Sequence, residues 1–308
     1  MTESHEAIVI GGGPAGLTAG IYLMRAGIDT LLIEKIISGG TPLNSWNIEN
    51  YPGFPDSISG KDLMDRFTAH AKNTGLSIKE FSEVEDVSYQ NQRFIIKTTD
   101  ALYESIGLII ATGTEPAKMN IPGENEYAGR GISYCATCDG AFFRNLVVAV
   151  IGGGDAAIEE GLSLANIAKK VYVIHRRHAL RAQKILQERA FKNDRMEFLW
   201  NKIPIKIGGK DQVEYITIED TKTKEQTDIS TDGVFVYIGA RPNTAFLGNL
   251  IDRDEAGFII TDEALSTKTS GLYIAGDVRK KILRQISTAV GDGALAAVNL
   301  ERYILGQK

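Results

Sequence analysis

Ala7-Ile8-Val9-Ile10-Gly11-Gly12-Gly13-Pro14-Ala15-Gly16 stands near the start of a 308-residue chain, and its reading decides the fold. A short β-branched run enters a glycine turn. Helical spacing follows (Leu17, Ile21, Met24) and ends near Gly27, and a second apolar run, Thr30-Leu31-Leu32-Ile33, closes on Glu34. Strand, glycine turn, helix, strand and acid in that order form the dinucleotide-binding fingerprint in its required context. In that geometry Gly11 permits the tight turn, Gly13 lets a pyrophosphate approach the backbone, and Gly16 lets the helix pack on the strand. Phosphates then sit at a helix N-terminus, where free N–H groups and the helix dipole favour an anion. Glu34 is placed to accept hydrogen bonds from ribose hydroxyls.

The frame occurs twice. Val147-Val148-Ala149-Val150-Ile151 leads into Gly152-Gly153-Gly154-Asp155-Ala156-Ala157, followed by a helical pattern and the strand-like Val171-Tyr172-Val173-Ile174. Gly11 to Gly152 and Glu34 to His175 share one offset, 141 residues. One such motif is weak evidence and two in register are strong, so the expected class is α/β with two Rossmann-like, three-layer nucleotide-binding domains. The copies differ at the tip of the second strand. Glu34 is replaced by His175-Arg176-Arg177, with Arg181 a turn later. A carboxylate repels a ribose 2′-phosphate, whereas guanidinium groups bind it through charge-assisted hydrogen bonds. The first copy is therefore expected to hold a dinucleotide with a free 2′-hydroxyl and the second NADP(H).

Only two cysteines occur, in Cys135-Ala136-Thr137-Cys138, followed by Asp139-Gly140. This spacing suits a redox-active pair with lowered thiolate pKa. A structural zinc half-site is the rival reading. It lacks a second Cys-x-x-Cys, and His5, His70, His175 and His178 are not spaced near the pair, so no metal is expected. Asp139 reads either as a proton donor to a leaving thiolate or as a turn-capping acid. A nicotinamide hydride does not pass readily to a disulfide. A flavin bridges the two chemistries, which gives FAD in the first copy and NADPH in the second.

Composition agrees with an ordinary globular enzyme: 43% apolar, 24% charged, net charge −5. No basic stripe points to nucleic acid, and no apolar run approaches membrane-spanning length. The mostly polar first six residues leave no room for a signal peptide, so a soluble, cytoplasmic protein is expected.

Along essentially its whole length the chain resembles the low-molecular-weight thioredoxin reductases. The resemblance rests on Gly11–Gly16, Glu49-Asn50-Tyr51-Pro52-Gly53-Phe54, Ala111-Thr112-Gly113, Cys135–Gly140, His175-Arg176-Arg177, Ile238-Gly239-Ala240-Arg241-Pro242-Asn243, Gly271–Asp277 and Arg284-Gln285-Ile286-Ser287-Thr288-Ala289. It implies an FAD domain built from residues 1–114 and 244–308, with an NADPH domain, 115–243, inserted into it and carrying the cysteines. Two short β connectors would join them near residues 112–115 and 238–243.

For FAD the resemblance implies Gly11, Gly12, Gly13, Pro14, Ala15, Gly16, Glu34, Lys35, Gly39, Gly40, Thr41, Asn44, Asn50, Val87, Ala111, Thr112 and Gly113. It adds Gly276, Asp277 (on the ribityl chain or phosphate), Arg284, and Gln285 with Ile286 against the isoalloxazine ring. For NADPH it implies Gly152, Gly153, Gly154, Asp155, Ala156, Glu159, His175, Arg176, Arg177, Arg181, Ile238 and Gly239. By the same analogy Cys138 faces the flavin, Cys135 attacks the disulfide of a thioredoxin or thioredoxin-like partner, and Asp139 supplies the proton. A homodimer whose NADPH domain swings between two orientations is the family's usual form.

Two positions depart from the pattern. Thr41 replaces a glutamine that contacts the flavin, and Ala156 replaces a hydroxyl residue of the second turn. Trp46 falls in the flavin-facing segment, or simply packs there. Glu159 doubles as a dipole-compensating acid near a helix start. Two other readings stay open on sequence: the same architecture with another donor (NADH, ferredoxin or deazaflavin) or another redoxin acceptor, and a non-enzymatic redox or metal sensor.

Overall fold

The computed structural model describes residues 2–45 and 48–307, so Trp46 lies outside the described residues. The chain divides into two compact units, Met1–Glu115 with Arg241–Lys308, and Pro116–Ala240.

The first unit begins β1 (Thr2–Ile10), α1 (Pro14–Arg25), β2 (Thr30–Ile33), α2 (Gly60–Asn73), β3 (Ser77–Lys79), β4 (Val84–Gln90), β5 (Arg93–Thr98) and β6 (Leu102–Ile110). The sheet order is β3-β2-β1-β6-β5-β4, with β3, β2, β1 and β6 parallel and the β4–β5 pair antiparallel. Alternation along β1 explains why its C-terminal half is apolar throughout. Ala7 and Val9 enter the helix-side core with Leu17 and Leu300, while Ile8 and Ile10 enter the opposite core with Phe94 and Ile96. A parallel strand buried on both faces needs an unbroken apolar run. Pro14 at the first position of α1 loses no helical hydrogen bond, and past its C-terminus Gly27 turns at φ +76°.

The chain leaves this unit through β7 (Thr114–Pro116). The second unit continues with β8 (Ile132–Ser133), the one-turn α3 (Ala136–Asp139), β9 (Val147–Gly152), α4 (Asp155–Ala165), β10 (Lys170–His175), α5 (Lys184–Phe191) and β11 (Met196–Trp200). Three antiparallel strands follow, β12 (Lys202–Gly209), β13 (Val213–Asp220) and β14 (Gln226–Ser230), and then β15 (Gly233–Tyr237). Its parallel sheet runs β11-β10-β9-β15-β8. Val148 and Val150 face α4 and α5, while Ala149 and Ile151 face Ile216 and Ile218 of β13. Strand β16 (Ala240–Pro242) pairs with β7 as a two-stranded ribbon, and β17 (Leu272–Ile274) and α6 (Ile286–Leu305) complete the first unit. One edge of β6 is shared, with Leu102–Ser105 taking β5 antiparallel and Leu108–Ile110 taking β17 parallel.

The repeat is exact in register: Ala7 pairs with Thr30 and Ile10 with Ile33, as Val148 pairs with Val171 and Ile151 with Ile174. Helix α4 begins at Asp155, so Glu159 is its fifth residue. Helix α6 begins at Ile286, where Gln285 and Thr288 form a capping box. Gly293 lies inside α6 because a Cβ there would stand 2.2 Å from the Ala15 carbonyl oxygen, so glycine permits the close crossing with α1. Among the described residues no helix is long and apolar enough to cross a membrane.

Candidate functional site

Cys135 and Cys138 form a disulfide with their Cα atoms 5.4 Å apart. Cys135 caps α3, and its sulfur accepts the Cys138 N–H at 3.1 Å. The turn is braced from three sides. The Ser133 hydroxyl donates to Asp139 Oδ2 at 2.6 Å and accepts the Cys135 N–H at 3.0 Å. Tyr237, at the end of β15, accepts the Ala136 N–H at 2.9 Å. Tyr134 donates to Glu124 at 2.7 Å, and Glu124 also takes the Met119 N–H, fixing the residue before Cys135. Burial, then the Glu160 carboxyl, push the Tyr237 phenol well above its ordinary value, so it stays protonated. Glu160 Oε2 is buried without a hydrogen bond, and burial followed by the Glu159 charge raises its pKa to about 8.

In the first glycine turn Gly11 has φ +107°, and a Cβ there would lie 2.4 Å from the Ala111 carbonyl oxygen. Glu34 takes the Gly12 N–H at 2.7 Å and the Ile36 N–H at 3.0 Å, which fixes its carboxylate at the end of β2. Gly39 donates to the Gly12 carbonyl at 2.8 Å, and Gly40 closes on Gly13 so tightly that a Cβ would meet the Gly13 Cα at 3.0 Å. Pro14, Ala15 and Gly16 form the buried first turn of α1, and Thr41 and Asn44 bound a 3-10 turn beside Gly40. Lys35 turns outward to an ion pair with Glu83 at 2.7 Å. The Val87 side chain is buried in the core rather than directed to a site, which leaves its backbone as the group that can meet a ligand. Thr112 donates its hydroxyl to the Asn243 carbonyl at 2.8 Å, and Gly113 (φ +60°) accepts the Asn243 N–H, so this segment crosses to the connector.

Gly276 opens a turn at φ +81° whose Cβ would press on Ala15, so Asp277 is brought against the first glycine turn. Asp277 Oδ1 is buried and makes no hydrogen bond among the described residues, although the Lys281 ammonium lies 3.2 Å away. Arg284 stacks 3.9 Å over Phe258 and reaches the Asp277 carbonyl at 3.3 Å. Gln285 accepts from the Asn50 side-chain amide at 3.1 Å and caps α6 ahead of Ile286. The Asp277 carboxylate, its Oδ1 buried and paired with the Lys281 ammonium, and the glycine turn at the N-terminus of α1 fit the hydroxyl-bearing chain and diphosphate of a flavin dinucleotide.

In the second turn Gly152 takes φ +152° and abuts the Tyr237 carbonyl, and Gly154 is open, with nothing within 4 Å of its Cβ direction. Ala156 is exposed on the first turn of α4, as is Glu159 one turn on. His175 is buried, packed beneath Gly153, and its Nε2 lies 3.1 Å from the Ala179 carbonyl oxygen. Burial first, and then the charges of Arg181, Arg177 and Arg176 against the Ala179 hydrogen bond, leave its pKa lowered. His175 therefore supports the loop, whereas Arg176, Arg177 and Arg181 are exposed. The loop is stitched to the turn by Arg181 N–H to the Gly153 carbonyl at 2.7 Å, and by Asp155 accepting the Gln183 N–H at 2.7 Å. Asp155 thus acts on its own chain. Ile238 is half-exposed, and Gly239 accepts the Ala117 N–H at the base of the connector.

Sequence reasoning missed Ser133, Tyr237, Glu160 and Lys281. Ser133 had a signal in lying two residues before the first cysteine; the other three stand near named motif positions (Ile238, Glu159, Asp277) but meet their partners only through packing.

The sequence profile of the pyridine nucleotide-disulphide oxidoreductases matches residues 5–293. The thioredoxin reductase of Bacillus subtilis is 44% identical over 301 residues, covering 97% of this chain and 95% of its own, and that of Listeria monocytogenes is 44% identical with 97% and 94% covered. Among solved structures, thioredoxin reductase of Lactococcus lactis matches with TM-score 0.96 and 41% identity over 98% of this chain and 99% of that one. The T. acidophilum thioredoxin reductase matches with TM-score 0.94 and 34% identity over 97% and 98%. With two glycine turns in one register, a disulfide in the Cys-x-x-Cys turn, and these similarities along its whole length, the chain belongs to the pyridine nucleotide-disulphide oxidoreductases and, among them, to the low-molecular-weight thioredoxin reductases.

Proposed function

We propose that this chain catalyses the reduction of oxidised thioredoxin by NADPH, with FAD at the first glycine turn and NADPH at the second. Family membership supplies the coarser statement that a flavin and a pyridine nucleotide serve it. A bound flavin accepts hydride from the nicotinamide and delivers two electrons to a disulfide. The observation that carries the reading is the Cys135–Cys138 disulfide capping α3, in the same unit as the arginine-tipped turn.

The chain's own groups do the thiol chemistry. Opening the disulfide consumes two electrons and two protons and leaves two thiols. Cys135 is the better nucleophile because its sulfur caps α3 and takes the Cys138 N–H, which favours its thiolate. Its attack on the partner disulfide forms a mixed disulfide and expels a thiolate, which takes its proton from Asp139, held by Ser133. Cys138 then attacks Cys135, re-forming the internal disulfide and releasing the second partner thiol. Glu34 orients a ribose with free hydroxyls, and Arg176, Arg177 and Arg181 neutralise a 2′-phosphate. Asp277 and the Gln285–Ile286 start of α6 hold the flavin. We place the enzyme in the cytoplasm, as a homodimer.

Anaerobic NADPH should bleach the flavin absorbance of the purified protein, and oxidised thioredoxin should restore it. Cys135→Ser and Cys138→Ser should each keep the bleaching by NADPH and lose thioredoxin turnover. A flavin left oxidised by NADPH would transfer the donor role to another reductant, and thioredoxin turnover by either serine variant would remove the cysteine pair from the path.

A further inference from the structure

Lys281 is a buried lysine, its side chain 7% exposed. Its ammonium has three oxygen neighbours: Asp277 Oδ1 at 3.2 Å, Asp292 Oδ2 at 3.1 Å and Thr288 Oγ1 at 3.3 Å. Each neighbour is itself anchored. Asp292, on α6, is held bidentately by Arg279 at 2.9 and 3.1 Å and takes the Gly276 N–H at 3.1 Å. Thr288 closes the capping box of α6, its hydroxyl accepting the Gln285 N–H at 3.2 Å. One cation thus ties the Gly276-Asp277 turn to the first turn of α6, and two carboxylates are balanced by two cations. A buried ammonium is costly unless fully partnered, and packed apolar groups of the same volume serve stability equally well. Asp292 already joins the two segments through the Gly276 N–H and Arg279, and Lys281 adds the link from the Asp277 carboxylate, which suits a positional role.

We propose that Lys281 is a positioning residue for flavin retention. It fixes the Asp277 carboxylate and the α6 start in one mutual arrangement and keeps Asp277 from turning away from Asp292 by like-charge repulsion. This rests on the reading that Asp277 and Gln285–Ile286 hold the flavin, and it adds that Lys281 acts through Asp277 without touching the cofactor.

The test uses the full chain stripped of flavin, titrated with FAD by fluorescence and with ADP as a probe of the Gly11–Gly16 turn and Glu34 alone. Lys281→Met should weaken FAD binding about tenfold or more, the size of one lost charge-assisted hydrogen bond, while ADP binding changes less than about twofold. Asp277→Asn should weaken FAD similarly, and adding Lys281→Met to it should cost less than about threefold more, because coupled residues are non-additive. FAD affinity untouched in Lys281→Met, FAD and ADP falling together, or additive losses in the double variant would each overturn the inference. If Asp277→Asn itself binds FAD normally, the flavin-site reading fails first and the inference with it.

Discussion

The two glycine turns share a backbone and use it differently. In the first, Glu34 accepts the Gly12 N–H, so the strand tip and the turn are joined by a charge. In the second, the residue at the same place is His175, whose ring packs against Gly153 and bonds the Ala179 carbonyl instead. The carbonyl of the middle glycine is bonded in both, by Gly39 in one and Arg181 in the other. One frame therefore yields a carboxylate bonded to the glycine turn in the first unit. In the second unit it yields a buried neutral ring that presents three arginines. On the proposed function, nucleotide choice would follow what the β2 or β10 tip residue lets the next few residues do, rather than the glycines.

Exchanging the third small residue between the copies should break the comparison with the largest effect. Gly16→Ala would place a Cβ 1.8 Å from the Gly11 carbonyl oxygen, and we expect a loss of several kcal/mol, read as flavin-free or insoluble protein. The mirror change Ala157→Gly should lower the unfolding free energy by only about 1 kcal/mol, followed by thermal melting.

Next in size, Arg176→Ala and Arg177→Ala should each raise the KM for NADPH about tenfold and leave that for NADH unchanged, as one charge-assisted contact is worth about 1.5–3 kcal/mol. Equal effects on both nucleotides would remove the arginines from 2′-phosphate recognition.

A third effect depends on pH. The folded pKa of Glu160 is raised from 4.5 to about 8, so the native state holds this proton more tightly than the unfolded chain. That contribution is complete below the unfolded value and is lost as pH rises through about 8. Glu160→Gln should therefore match the parent in melting temperature near pH 5 and exceed it at pH 9, by the equivalent of roughly 2–4 kcal/mol. The smallest effect should come from Ala156→Ser, which adds a hydroxyl to the open second turn and should lower the KM for NADPH by about twofold to fivefold.

Much of this was legible in the sequence because the two motifs impose local backbone demands. Positive φ at Gly11 and Gly152, tight contacts behind Gly16, and the one-turn cap at Cys135 depend on residues a few positions apart. The need for glycine at 293 inside α6 shows only once α1 is packed there, since a Cβ would meet the Ala15 carbonyl oxygen. The second turn and its arginine loop read together as a ligand site, and within them His175 and Asp155 bond their own chain while Arg176, Arg177 and Arg181 are exposed.

Chain order alone determined the paired α/β frames, the acid-against-arginine contrast and the redox pair, because each is fixed by residue type at short spacing. Only the tertiary structure decided that Tyr237 braces Ala136, that Glu160 Oε2 is buried and acts on Tyr237, and that Lys281 joins Asp277 to Asp292. Those contacts join residues from separate elements, and hydrogen bonding and desolvation act on distance in space, which no local pattern encodes.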